Sequence, residues 1–141
     1  MAMSGDSNPI VLHAGEGEEL GDTTAKAARP ELSLLEFELS SGDEIELHLH
    51  RRQSDAFYVL DGEVEFTLGR ETITLLPGAF ALAPPGVVHG MRNSQAVTAR
   101  LLNVHTPGGF VEYRRELASL RDAGIEPDDD FFERHDVFDP D

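Results

Sequence analysis

No cysteine occurs among the 141 residues, which excludes disulfides, thiolate metal ligands and a cysteine nucleophile. Nor does any apolar run approach the roughly 20 residues of a membrane-spanning helix. The opening stretch Met1 to Pro9 is polar and lacks the apolar core of a secretory signal, so a cytoplasmic location is expected. Positive charge is scarce: 11 Lys and Arg stand against 27 Asp and Glu, a net charge of −16. Such a chain repels phosphate backbones and anionic lipid surfaces, so neither nucleic acid nor membrane is an expected partner. Lys26 is the only lysine beside ten arginines. Internal repeats, low-complexity tracts and domain-sized linkers are also missing, and the length suits one domain with a real core.

What is present reads as a succession of short strands. Ile10 to Leu12 is a brief apolar run, and the Gly- and Glu-rich stretch Ala14 to Asp22 reads as a mobile surface loop. Leu32 to Leu39 is apolar-rich and stops at Ser40-Ser41-Gly42. Glu44 to His50 alternates polar and apolar residues, which places His48 and His50 on one strand face together with Glu44 and Glu46. Ala56 to Leu60 and Glu63 to Leu68 flank Asp61-Gly62, a dipeptide suited to a two-residue hairpin turn. Gly69-Arg70 supplies another turn before Thr72 to Leu76, and further strands are expected near Ala79 to Ala83, Val87 to Arg92 and Ala96 to His105. Beyond Thr106 the period changes: Phe110, Tyr113, Leu117 and Leu120 recur at helical spacing, with Gly124 as a stop. A second short helix after Pro127 carries Phe131, Phe132 and His135. Because Glu126 to Asp141 holds eight carboxylates against Arg134 alone, this end reads as solvated and poorly ordered.

Two spaced patterns carry chemistry. The first is G-x5-H-x-H-x4-D-x6-G, from Gly42 through His48, His50 and Asp55 to Gly62; the second is G-x5-P-x-G-x2-H-x3-N, from Gly78 through Pro84, Gly86 and His89 to Asn93. Residues two apart on a strand share a face at roughly 6.5 to 7 Å, so two imidazoles can converge on one point. Metal–nitrogen bonds of about 2.0 to 2.1 Å then require further ligands from neighbouring strands. Asp55 and His89 are the candidates. Three imidazoles and a carboxylate suit one divalent transition metal, whether Fe, Mn, Ni, Cu or Zn.

These two motifs resemble those of the cupin superfamily, with fifteen residues between Gly62 and Gly78 as in compact single-domain microbial members. The resemblance covers about residues 32 to 106, and Thr106 to Phe110 with the helix beyond is similar to small quercetin-dioxygenase-like cupins. It implies an all-β fold, a double-stranded β-helix (jelly-roll barrel), commonly dimeric, so a homodimer is expected. The chain then divides into an N-terminal arm and loop at 1–29, the barrel core at 30–106 and a helical acidic segment at 107–141. One position departs from the family pattern, which favours glutamate where this chain has Asp55. A side chain one methylene shorter leaves three options: ligation after a small backbone shift, action through a water, or a three-histidine site.

Around this centre, Glu46 is a proton acceptor in the cavity by strict alternation, or a solvated rim residue if a bulge turns it outward. His105, ending a strand beside Thr106-Pro107, faces either the barrel mouth or solvent. The same parity carries Phe57 and Val59 inward with Asp55, and Val87 and Met91 inward with His89, as pocket wall or as ordinary core. His13 and His135 read as plain surface residues. The expected activity is a metal-dependent dioxygenase acting on a small aromatic or enol/diketone-like molecule. The alternatives are a non-redox lyase or isomerase using Glu46 or His105, and a barrel that binds or senses a small ligand without turnover.

Overall fold

The computed structural model describes residues 8–140. The stretch Met1 to Pro9, read as polar and without the apolar core of a secretory signal, therefore falls mostly outside the described residues. Among the described residues ten strands form two antiparallel sheets. β1 (Glu18–Leu20), β2 (Thr23–Ala28), β3 (Ser33–Leu39), β5 (Ser54–Asp61), β8 (Phe80–Ala83) and β10 (Ala99–Thr106) make a six-stranded sheet in the order β1-β2-β3-β10-β5-β8. β4 (Glu44–His48), β6 (Val64–Leu68), β7 (Glu71–Leu75) and β9 (His89–Arg92) make a four-stranded sheet in the order β4-β9-β6-β7. The neighbours in space are mostly distant in sequence, as in a double-stranded β-helix.

Alternation decides what lies between the sheets. Along β5 from Asp55 to Val59 and along β10 the odd-numbered positions are buried, which sends Phe57, Val59 and Leu101 inward to meet Val64, Phe66 and Met91 from the opposite sheet. Phe66 and Leu101 are fully buried. This apolar cluster fills one end of the barrel, and the same inward parity puts Asp55, Asn103 and His105 at the other end.

Four expectations are corrected. Asp61-Gly62 does not close a hairpin: β5 and β6 belong to different sheets, and the chain crosses between them there. Gly62 has φ 76°, and a Cβ on it would stand 2.8 Å from Ala99 Cα, so the close crossing itself needs glycine. Secondly, β4 does not alternate strictly. Its pairing with β9 shifts register between Ile45 and His48, so Ile45 packs on the core while Glu44 and Glu46 are exposed. Gly90 lies against this irregularity, where a Cβ would come 2.7 Å from Ile45 O. Thirdly, the stretch expected as loop from Ala14 to Asp22 contains β1, so the sheet extends to the N-terminal side of residue 30.

The fourth correction concerns the acidic end. α1 (Phe110–Asp122) packs Val111 against Ala25 and Leu35 of the six-stranded sheet. α2 (Asp129–Arg134) is capped by Asp128, whose carboxylate accepts the Phe131 N–H at 2.9 Å, and it buries Phe131 against Tyr113 and Leu117. Phe131, Phe132 and Val137 provide apolar anchors that the charge count had hidden. The segment is thus ordered onto the barrel and not merely solvated. His135 lies on the same helical layer, 2.9 Å from Glu116 Oε2. Among the described residues no helix is long and apolar enough to cross a membrane.

Candidate metal centre

His48 ends β4, His50 follows it, Asp55 lies in β5 and His89 opens β9, directly paired with His48. One nitrogen from each imidazole and one Asp55 oxygen lie within 4.8 Å of one another. His50, Asp55 and His89 are buried, with Asp55 only 2% exposed, while His48 is half-buried. The four residues singled out from the two motifs are therefore brought together, and the set is one that can hold a metal ion.

Hydrogen bonding fixes which nitrogen of each ring faces the centre. His48 Nδ1 donates to Glu46 O at 2.7 Å, His89 Nδ1 to Val87 O at 2.9 Å, and His50 Nδ1 to Asp136 O at 2.8 Å. A carbonyl oxygen only accepts, so each Nδ1 carries its proton and each neutral ring presents a bare Nε2. Metal-binding histidines are oriented in this way. Asp55 Oδ2 lies 2.7 Å from His89 Nε2 and 3.1 Å from His50 Nε2. Lone pairs cannot face a carboxylate at such distances without a positive charge among them, whether a second proton on a ring or a metal ion.

The other Asp55 oxygen is held separately. Asn103 Nδ2 donates to Asp55 Oδ1 at 2.6 Å and to Ala56 O at 3.0 Å, which leaves Oδ2 facing the imidazoles. Asn103 was missed in the sequence, although it shares the inward parity of His105 two residues on. His105 lies inside, 1% exposed, with its ring stacked on Phe110 at 3.9 Å. Gln53 Nε2 donates to Gly108 O, so its Oε1 accepts the His105 Nδ1 proton at 3.0 Å. The His105 Nε2 atom stands 3.2 Å from Asp55 Oδ1 without hydrogen-bond geometry and has no other partner among the described residues. A buried bare nitrogen beside the carboxylate adds to the demand for a cation.

Burial pushes His48 down to about 4, helped by the neighbouring His89. Burial likewise takes His105 down to about 4, against the pull of Asp55. For His50, burial is outweighed by the Asp55 carboxylate, with Asp136 behind it, and the ring is raised above its usual value. Burial alone would raise the Asp55 carboxyl. The facing His105 and the His50 and His89 contacts overcome it and hold the group well below the usual carboxylate range.

The remaining candidates fall outside the ligand cluster. Glu46 is exposed, and only its backbone carbonyl serves the centre. Phe57, Val59 and Met91 belong to the core cluster, with the Phe57 ring 6.1 Å from His89. Val87 is half-buried and contributes its carbonyl. Asn93, read as a turn residue, is buried and ties Leu39 O and Val97 O through its amide. Asp136 is the other participant with no warning in the sequence pattern.

A two-sheet jelly roll with three imidazoles and a carboxylate gathered inside defines a β-barrel with a possible four-residue metal site. The cupin domain profile matches residues 35–105, and the chain belongs to that family. It is 30% identical over 127 residues to quercetin 2,3-dioxygenase of Bacillus subtilis, a match that covers 84% of this chain but only 37% of that protein's length. Among solved structures, a Thermus thermophilus protein aligns with TM-score 0.58 and 33% identity, covering 60% of this chain and 81% of that one. A double-stranded β-helix protein of Klebsiella pneumoniae aligns with TM-score 0.57 and 27% identity, covering 70% and 84% respectively.

Proposed function

We propose that the protein is a metal-dependent dioxygenase acting on a small aromatic or enol/diketone-like molecule. The observation that carries this reading is the commitment of all three Nδ1 protons to carbonyl oxygens, which leaves three Nε2 atoms for the centre, those of His89 and His50 at 2.7 and 3.1 Å from Asp55 Oδ2. His48, His50, His89 and Asp55 would hold one divalent ion, and four protein donors leave coordination positions free in a six-coordinate geometry. Bound there, the metal supplies Lewis acidity and, for redox-active ions, one-electron chemistry with dioxygen.

The chain's own residues do the rest. Asn103 keeps Asp55 turned toward the imidazoles, and the rings of Phe57 and Phe66, 6.1 and 6.5 Å from His89, exclude water behind the centre. The likeness to a quercetin dioxygenase supports the substrate class. A non-redox lyase or isomerase needs a side chain to move protons: Glu46, exposed to solvent, is poorly placed for that work, which leaves His105, buried with its Nε2 3.2 Å from Asp55 Oδ1, as the residue that reading would use.

The test uses protein purified without an affinity-tag metal column and loaded separately with iron, manganese, nickel and copper. Oxygen uptake is expected with a flavonol, a diketone or a catechol in at least one form, and the His89→Ala variant is expected to lose both metal and uptake. Failure of every loaded form to consume oxygen with all three substrate types removes the dioxygenase reading.

A further inference from the structure

The residue that completes the centre from farthest away is Asp136. It is 3% exposed and has φ 65°, in the left-handed region that aspartate tolerates better than most side chains. Its carboxylate accepts three successive backbone N–H groups: Arg51 at 2.8 Å, Arg52 at 3.0 Å and Gln53 at 3.0 Å. Its own carbonyl accepts the His50 Nδ1 proton. One residue thus grips both the ring of one candidate ligand and the loop that joins His50 to Asp55. On the flank, Leu49 and Phe138 exchange two backbone hydrogen bonds of 3.0 Å each, and the Arg51 guanidinium lies 4.0 Å from the centre of the Phe138 ring.

We propose that Asp136 is a positioning residue for the metal centre, and that docking of residues 135–138 and metal binding strengthen one another. The proposal rests on the metal reading above. Its physical basis is the difference between a ring fixed by its own strand and one fixed from outside. If the 135–138 segment lifts away, His50 loses the acceptor that sets its tautomer and angle, and loop 51–53 loses the acceptor for three N–H groups. Asp55 is two residues beyond that loop, so two of the four donors drift together. By reciprocity, a metal that holds His50 and Asp55 in place must favour the docked segment by the same factor.

The experiment titrates Co2+ into the full-length parent, Asp136→Ala, Asp136→Asn and Phe138→Ala, following the visible band of the ion and the hydrogen exchange of the amides of 51–53 and 136–138. Affinity in Asp136→Ala is expected to fall about 10- to 100-fold, the usual scale for an outer partner of a metal ligand, with a shifted Co2+ band. Asp136→Asn keeps an acceptor oxygen and tolerates the left-handed backbone, so it is expected to recover most of the loss. Phe138→Ala, which leaves Asp136 itself intact, is expected to weaken binding by a smaller factor. In the parent, Co2+ is expected to slow exchange at both sets of amides.

A folded Asp136→Ala with parental Co2+ affinity and an unshifted band overturns the proposal while leaving the metal reading in place. A parent that binds no Co2+ overturns both. Should Asp136→Ala fail to fold, Asp136→Asn and Phe138→Ala decide: parental affinity and unchanged exchange in both count against the linkage.

Discussion

Two halves of the centre are built differently. His48 and His89 are paired with each other across β4 and β9, and each donates to a carbonyl two residues back on its own chain segment. His50 and Asp55 depend on residues far along the chain: Asp136 is 86 residues from His50, and Asn103 is 48 from Asp55. A local acceptor forms as soon as the segment is extended, whereas a remote one exists only in the finished fold. The first half is therefore self-supporting, and the second is where metal affinity can be tuned without touching a ligand.

The sharpest way to break this asymmetry is at Asn103, which can be removed without altering any donor. Asn103→Leu keeps similar bulk but leaves Asp55 Oδ1 without its 2.6 Å partner. Metal affinity is expected to drop about 10- to 100-fold, and the metal-free protein to lose about 1 to 3 kcal/mol as a buried carboxylate goes under-bonded. Competition titration with a chelator and thermal unfolding of the metal-free form check the two effects separately. A full-affinity Asn103→Leu protein would show that Asp55 needs no support and would erase the distinction between the halves.

The same division explains what could be read in the sequence. His48, His50, Asp55 and His89 were legible because their partners in geometry are short-range: strand parity, turn glycines and motif spacing. The core strands were legible for the same reason, as was α1, where Phe110, Tyr113, Leu117 and Leu120 recur at helical spacing and two of the four end up buried. The irregularity in β4 was not, since Glu44 to His48 alternates without fault and only the contact with Gly90 and β9 shows that Ile45, not Glu46, turns inward. Asp61-Gly62 misled because its turn chemistry is local while the sheet to which each flanking strand belongs is set by β10 and β9. Asp136 lay hidden in an acidic run whose composition argued for solvent. Its burial comes from Phe131, Val137 and Phe138 carrying it onto the barrel, a contact that no spacing rule announces.

Protonation offers a second way to separate the halves. His48 is pushed down to about 4 by burial, so it is already neutral across the ordinary range and needs to release no proton to a metal. His50, raised above its usual value by Asp55 and Asp136, keeps a second ring proton, on Nε2, to higher pH than an ordinary histidine, and a metal must displace it. The sign follows: affinity is expected to fall as pH falls below the raised His50 value, by about tenfold per pH unit for that one proton. Metal titrations between about pH 5 and about pH 8 measure the slope. Adding Asn103→Leu, which disturbs Asp55 but leaves His48 alone, is expected to change the position of this break; a flat profile in the parent would show that His50 is neutral like His48.

The smallest effect belongs to the local half and concerns Glu46. Strict alternation would put its carboxylate in the cavity, but its side chain is exposed and its service to the centre is the backbone carbonyl that receives the His48 proton. Glu46→Gln leaves that carbonyl unchanged. Metal affinity is expected to remain within about twofold of the parent, and stability within about 0.5 kcal/mol, as for most surface substitutions. The measurements are the same chelator competition and thermal unfolding. A tenfold loss of affinity would mean that the Glu46 carboxylate reaches the metal centre after all, and the register shift in β4 would no longer describe the working state of the protein.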